Sequence, residues 1–188
     1  MAKAYITPLF WDLHIHGVKG IDFIHADFTE IEQACFILGR HGIGYFTPTL
    51  LTSPNLRSAC WKWGKFIEKL KTYKVLPKFF ALPIGIHLEG PFLNQQKAGA
   101  HPVQFLQAVH IKLAQAYWVE SQRNILIVTL APELKGAIQL IRWFRNKGVR
   151  IQLGHTQADE RVALHAYKAG AQGITHLFNA MLFHHRNP

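Results

Sequence analysis

The feature that most limits what this chain can fold into is a regular alternation of short apolar runs with amphipathic helical stretches. Strand-like segments cover Leu9–His16, Ile43–Thr47, Leu82–Leu88, Ile125–Thr129, Val149–Leu153 and Gly173–His176. Between them, helical periodicity covers Thr29–Gly42, Asn55–Tyr73, Phe105–Glu120, Leu134–Lys147 and Ala158–Ala169, with Gly148 and Gly170 as stop signals. Strands separated by helices of this length pair in parallel through right-handed crossovers. Two α/β architectures satisfy that pattern: an open doubly wound sheet and a closed barrel.

The placement of metal-binding side chains favours the barrel. His14 and His16, Glu89, His155 and His176 each fall at the C-terminal end of a strand, on the first, third, fifth and sixth strands. A barrel brings the C-terminal ends of all its strands to one mouth, whereas an open sheet spreads them along an edge. Residues two apart on a strand share a face, so His14 and His16 can reach one ion. Alone, that pair reads more readily as two polar rim residues than as metal ligands. Glu89, placed before Gly90-Pro91 at the mouth, is a buried charge in need of a partner, which a metal or a salt bridge to Lys97 supplies. His25, His41, His110 and His165 read as bystanders. The expected fold is therefore an incomplete (β/α)8, TIM-type hydrolase barrel supplying about six of eight units, because a whole barrel needs about 250 residues and this chain has 188.

With 49% hydrophobic residues, the chain supports one core and reads as a single domain over residues 1–188. No apolar run reaches the roughly 18 residues of a membrane span. The N-terminus, broken by Pro8 and Asp12, fits poorly with a signal peptide, so a soluble, cytoplasmic protein is the expectation. Cys35 and Cys60 lack metal-ligand spacing and read as free thiols. The net charge of +10 is distributed at spacings that place it on solvated helix faces. No nucleic-acid motif accompanies it, and a nucleic-acid partner is not expected.

Several motifs occur together: Asp12-Leu-His-Ile-His-Gly17, Gly85-Ile-His-Leu-Glu-Gly-Pro-Phe-Leu-Asn94, Lys97-Ala-Gly-Ala-His101, Leu130-Ala-Pro-Glu133, Gly154-His-Thr156 and Thr175-His-Leu-Phe-Asn-Ala-Met181, with His184-His-Arg186 beyond. In this order they resemble the N-acetylglucosamine-6-phosphate deacetylases of the amidohydrolase superfamily. The resemblance implies hydrolysis of the acetamide of N-acetylglucosamine 6-phosphate to glucosamine 6-phosphate and acetate. It implies one or two divalent ions, zinc first and iron, manganese or cobalt as alternatives. Glu89, His155 and His176 would hold the main ion, and His14 and His16 the second. His101 would polarise the acetamide carbonyl, and Asn179, the backbone of Ala180, and Arg186 would hold the 6-phosphate.

The chain departs from the family in two respects. The family's acid/base aspartate is expected beyond Pro188, so no catalytic residue is identified in this sequence. The N-terminal strands of a small β-sandwich and the last barrel strands are also missing from it. A fragment with impaired activity is the resulting expectation, with a homodimer or a complementing C-terminal chain as the way to cover its open edges. Another amidohydrolase, or a non-catalytic remnant that binds metal or sugar phosphate, are the alternatives.

Overall fold

The structure, a computed structural model, describes residues 7–182. Its spine is a set of parallel strands in chain order: β1 (Phe10–Ile15), β4 (Ile43–Leu51), β6 (Ile86–Glu89), β7 (Ile125–Leu130), β8 (Arg150–Leu153) and β9 (Gly173–Ile174). Each pairs with the next in sequence, and the short β5 (Leu82–Pro83) adds to β4. Helices α1 (Phe28–Arg40), α2 (Leu56–Leu70), α3 (Ile111–Glu120), α4 (Ala137–Arg145) and α5 (Glu160–Ala169) fill the crossovers. A two-stranded antiparallel hairpin, β2 (Gly17–Val18) with β3 (Ile21–Asp22), follows β1.

The sheet is curled. Six strands laid flat at about 4.8 Å spacing would put the outer two some 24 Å apart. Yet the His14 ring, on β1, lies 6.0 Å from the His176 ring, which follows β9. Side chains alone cannot span that difference, so the strand ends converge as in a half-barrel. This excludes the flat open sheet left as an alternative by the sequence.

The core lies between sheet and helices, where the apolar faces of α1, α2 and α4 meet Phe46, Leu50, Ile86, Leu88, Val128 and Ile151. Trp63 is fully buried at its centre and donates its indole N–H to the Phe23 carbonyl at 2.9 Å, so the large ring is accommodated without a stranded polar atom. Asp27 caps α1 in a reciprocal box with Glu30. Asp159 caps α5, as its position before the helical run suggests. Cys35 and Cys60 are buried free thiols.

Several boundaries differ from the sequence reading, each for a local reason. The strand expected over Leu82–Leu88 breaks at Ile84-Gly85, where a Cβ on Gly85 would meet Leu126 Cβ at 2.6 Å. The helix expected from Phe105 begins at Ile111, because Leu106 and His110 are extended. Helix α4 starts at Ala137 rather than Leu134, behind Gly136 with φ +90°. His176 lies beyond β9 rather than within it, with φ +35°. Both sheet edges carry exposed apolar side chains: Leu9, Phe10 and Trp11 at β1, and Ile174, Leu177 and Phe178 at β9.

Candidate metal centre

Five imidazoles surround one buried carboxylate. Glu89 ends β6 and is 2% exposed; the chain turns away at Gly90, where φ is +88° and a Cβ would meet Thr52 Oγ1 at 2.5 Å. The two carboxylate oxygens face different pairs of histidines. Oε1 lies 3.1 Å from His155 Nε2 and 3.2 Å from His176 Nε2, and those two nitrogens are 3.0 Å apart. Oε2 lies 3.5 Å from both His14 Nε2 and His16 Nε2, themselves 3.1 Å apart. Each trio places its ligand atoms within 4.8 Å of one another. Glu89 is thus the common member of two clusters that could each hold an ion, with no contact to a Lys or Arg side chain among the described residues.

The tautomers test whether these residues suit a cation. A backbone carbonyl can only accept, so the ring nitrogen facing one must carry a proton. His155 Nδ1 donates to the Lys97 carbonyl at 2.8 Å, His176 Nδ1 to Asn179 O at 3.0 Å, and His16 Nδ1 to Thr49 O at 3.1 Å. In the neutral ring this leaves each Nε2 as a bare lone pair aimed at Glu89. Lone pairs and a carboxylate at such distances repel unless a cation or a proton lies among them. Metal-ligating histidines typically show this carbonyl-anchored arrangement, and the donor set of imidazole and carboxylate fits zinc or a similar divalent ion.

The titration behaviour agrees with a site built around that charge. Burial raises the Glu89 carboxyl, but hydrogen bonds from His14 and His155 and the surrounding imidazoles outweigh it and hold the group well below the usual carboxylate range. Burial lowers His155, yet its bonds to the Glu89 carboxylate and the Lys97 carbonyl leave it above the ordinary imidazole value of 6.5. Burial pushes His87 down to about 3 and His101 down to about 4, so both are neutral. A proton on His155 would compete with a bound ion for the same nitrogen. Ion affinity is therefore expected to fall as pH drops, with the fall centred above 6.5, the pH at which an ordinary imidazole is half-protonated. A chelator-competition titration with zinc from about pH 5.5 to 8.5 checks this; a fall in affinity centred at or below the ordinary imidazole value would contradict it.

His101 is the fifth imidazole. It is 3% exposed, and its Nδ1 accepts from the Thr52 backbone N–H at 3.3 Å. The proton therefore sits on Nε2, which has no hydrogen-bond partner among the described residues and lies 3.8 Å from Glu89 Oε2. A buried, unsatisfied donor pointing at this histidine–carboxylate cluster costs about 1–3 kcal/mol and is suited to a bound acceptor such as a carbonyl oxygen.

Asn179 and Ala180 lie on the turn after β9. Asn179 N–H donates to His176 O, and Ala180 O accepts from Thr156 N–H. Arg186 lies outside the described residues. Glu133, quoted above only within a motif, accepts from Asn94 Nδ2 at 2.8 Å, from Gln157 N–H at 2.7 Å and from the Thr156 hydroxyl. It thereby ties together the loops after β6, β7 and β8. His87 was not singled out in the sequence; its signal was available, since it lies two residues before Glu89 and shares its face.

No family model matches the chain. It is 39% identical over 193 residues to the N-acetylglucosamine-6-phosphate deacetylase of Rattus norvegicus, which aligns with 97% of this chain. It is 30% identical to the N-acetylgalactosamine-6-phosphate deacetylase of Escherichia coli O157:H7, with 97% of this chain and 48% of that protein aligned. Among solved structures, a mutant Mycobacterium smegmatis N-acetyl-D-glucosamine-6-phosphate deacetylase in complex with N-acetyl-D-glucosamine-6-phosphate superposes with a TM-score of 0.86 at 30% identity. The superposition covers 96% of this chain and 45% of that one. The chain is thus a homologue of the amino-sugar-phosphate deacetylases, spanning about 45% of the length of the curated relatives it matches.

Proposed function

We propose that the chain carries the metal-binding and acetamide-binding part of an N-acetylglucosamine-6-phosphate deacetylase, on a single partial barrel domain with about six of eight β/α units. The observation that carries this reading is Glu89 shared between two histidine pairs, with the His101 Nε2–H, unpartnered among the described residues, beside it. Glu89, His155 and His176 would hold the main ion and His14 and His16 the second, with zinc the expected metal. A bound divalent ion supplies Lewis acidity toward water and the amide carbonyl. The remaining tasks fall to side chains. His101 donates its Nε2 proton to the carbonyl oxygen, where negative charge develops. Thr52 keeps that proton on Nε2 by occupying Nδ1. Asn179, the backbone of Ala180, and Arg186 would bind the 6-phosphate, Arg through its planar fork of donors.

Substrate binding separates this reading from the others. Calorimetric titration of the zinc-loaded chain is expected to show binding of N-acetylglucosamine 6-phosphate and none, at the same concentration, of unphosphorylated N-acetylglucosamine. His101→Ala is expected to weaken binding about tenfold, the loss of one well-placed hydrogen bond. Equal affinity for the two sugars would remove the phosphate from the reading and favour another amidohydrolase. The N-acetylgalactosamine 6-phosphate epimer, titrated alongside, assigns the sugar.

A further inference from the structure

We propose that a buried polar layer centred on His87 is a positioning device that holds the two histidine pairs of the metal centre in register. The inference rests on the metal-centre reading above. Barrel interiors at this depth are usually filled with Val, Ile and Leu. Here Thr47, Thr49, His87, Thr129 and Thr175 are all at most 2% exposed, and their polar groups form one connected chain.

At one end the chain grips β1. The register between β1 and β4 is irregular between Asp12 and Ile15, opposite Pro48, which has no N–H to give to a ladder. Side chains take over. The Leu13 carbonyl, next to His14, accepts from Thr47 Oγ1 at 2.7 Å and from His87 Nδ1 at 3.2 Å, and Ile15 N–H donates to Thr49 Oγ1 at 3.0 Å. With its proton on Nδ1, His87 accepts at Nε2 from the Thr129 hydroxyl, 2.7 Å away. Thr129 Oγ1 meets Thr175 Oγ1 at 2.6 Å across β8, and Thr175 precedes His176. Gly154 makes that crossing possible, because a Cβ there would lie 2.8 Å from Thr129 Cγ2 and 3.0 Å from Thr175 Cβ. The Gln152 carboxamide, 2.7 Å from Thr175 Oγ1, ends the chain. It thus runs from the residue before one ligand, His14, to the residue before another, His176, through a ring two residues from Glu89.

The two ring nitrogens can be tested separately. An Asn amide can reach the place of Nδ1 and a Gln amide that of Nε2, so His87→Asn keeps the grip on Leu13 and His87→Gln releases it. In metal-free protein, His87→Gln is expected to speed amide hydrogen exchange over residues 10–16, and His87→Asn to leave it near wild type. With zinc alone as the probe, His87→Gln is expected to weaken the ion at His14 and His16 about tenfold, the usual scale for an outer partner. Thr129→Val, which frees Thr175, is expected to weaken instead the ion at His155 and His176. If His87→Gln does not fold, Thr175→Val replaces it, with the same expectation as Thr129→Val. Variants that lose thermal stability but keep wild-type exchange and zinc affinity would overturn the proposal and leave the layer as ordinary packing. Wild-type protein that binds no zinc would defeat the metal reading, and the exchange pattern would then decide the positioning one.

Discussion

Glu89→Gln is expected to abolish tight binding of both ions at once. Zinc sites held by four protein ligands are worth about 10–16 kcal/mol, or about 3 kcal/mol per ligand, which is roughly 10²-fold in affinity for each one removed. Glu89 contributes to both clusters through different oxygens, so one substitution acts twice. An amide keeps the shape and loses the charge, leaving four histidine nitrogens with nothing to offset a dication. His176→Ala, which touches only the Oε1 cluster, is expected to cost one ion and leave the other. Metal content after dialysis, with chelator competition for affinity, separates the two patterns. Loss of a single ion in Glu89→Gln would show that the carboxylate is not shared.

The second large effect concerns turnover. The zinc-loaded 188-residue polypeptide, taken by itself, is expected to bind N-acetylglucosamine 6-phosphate and yet release acetate about 10²–10⁴-fold more slowly than a complete relative, the usual worth of a positioned acid/base. Hydrolysis of the amide requires the attacking water to lose a proton and the leaving amine to gain one. Each of the chain's four aspartates, Asp12, Asp22, Asp27 and Asp159, is engaged elsewhere. Asp12 accepts from His14 N–H and Asp22 from Ile24 N–H, while Asp27 and Asp159 cap α1 and α5. Acetate release from N-acetylglucosamine 6-phosphate, measured with and without the separately expressed C-terminal part of a complete relative, checks the expectation. Turnover by the lone polypeptide at a relative's rate would mean that a residue already present, or one from a second copy, moves the proton.

The exposed edges bear on the same experiment. Burying a large apolar side chain contributes about 1.5–3 kcal/mol, and Leu9, Phe10 and Trp11 on one edge and Leu177 and Phe178 on the other remain more than half exposed. A segment pairing with β1 or β9 would cover them, so restored turnover should be accompanied by a higher melting temperature.

Strand and helix order, the single core and the placement of His14, His16 and Glu89 at strand ends were legible in the amino-acid sequence, whereas His155 and His176 fall two residues beyond theirs. The legible features depend on local periodicity, and the period of two fixes which side chains share a face. Helix ends were less legible, because apolar periodicity runs on into residues such as Leu106 and Leu134 that the backbone holds outside the helices. The candidate metal cluster itself was decided by tertiary structure. The contacts that define it join residues 66 and 87 positions apart, and they exist because the sheet curls, a property that no short window of sequence encodes. The same holds for the shared carboxylate, for the proton that Thr52 keeps on His101 Nε2, and for His87, whose partners on β1 and β7 lie 74 and 42 positions away. Sequence determined which groups were available at the mouth of the half-barrel; the curvature of the sheet determined which of them meet.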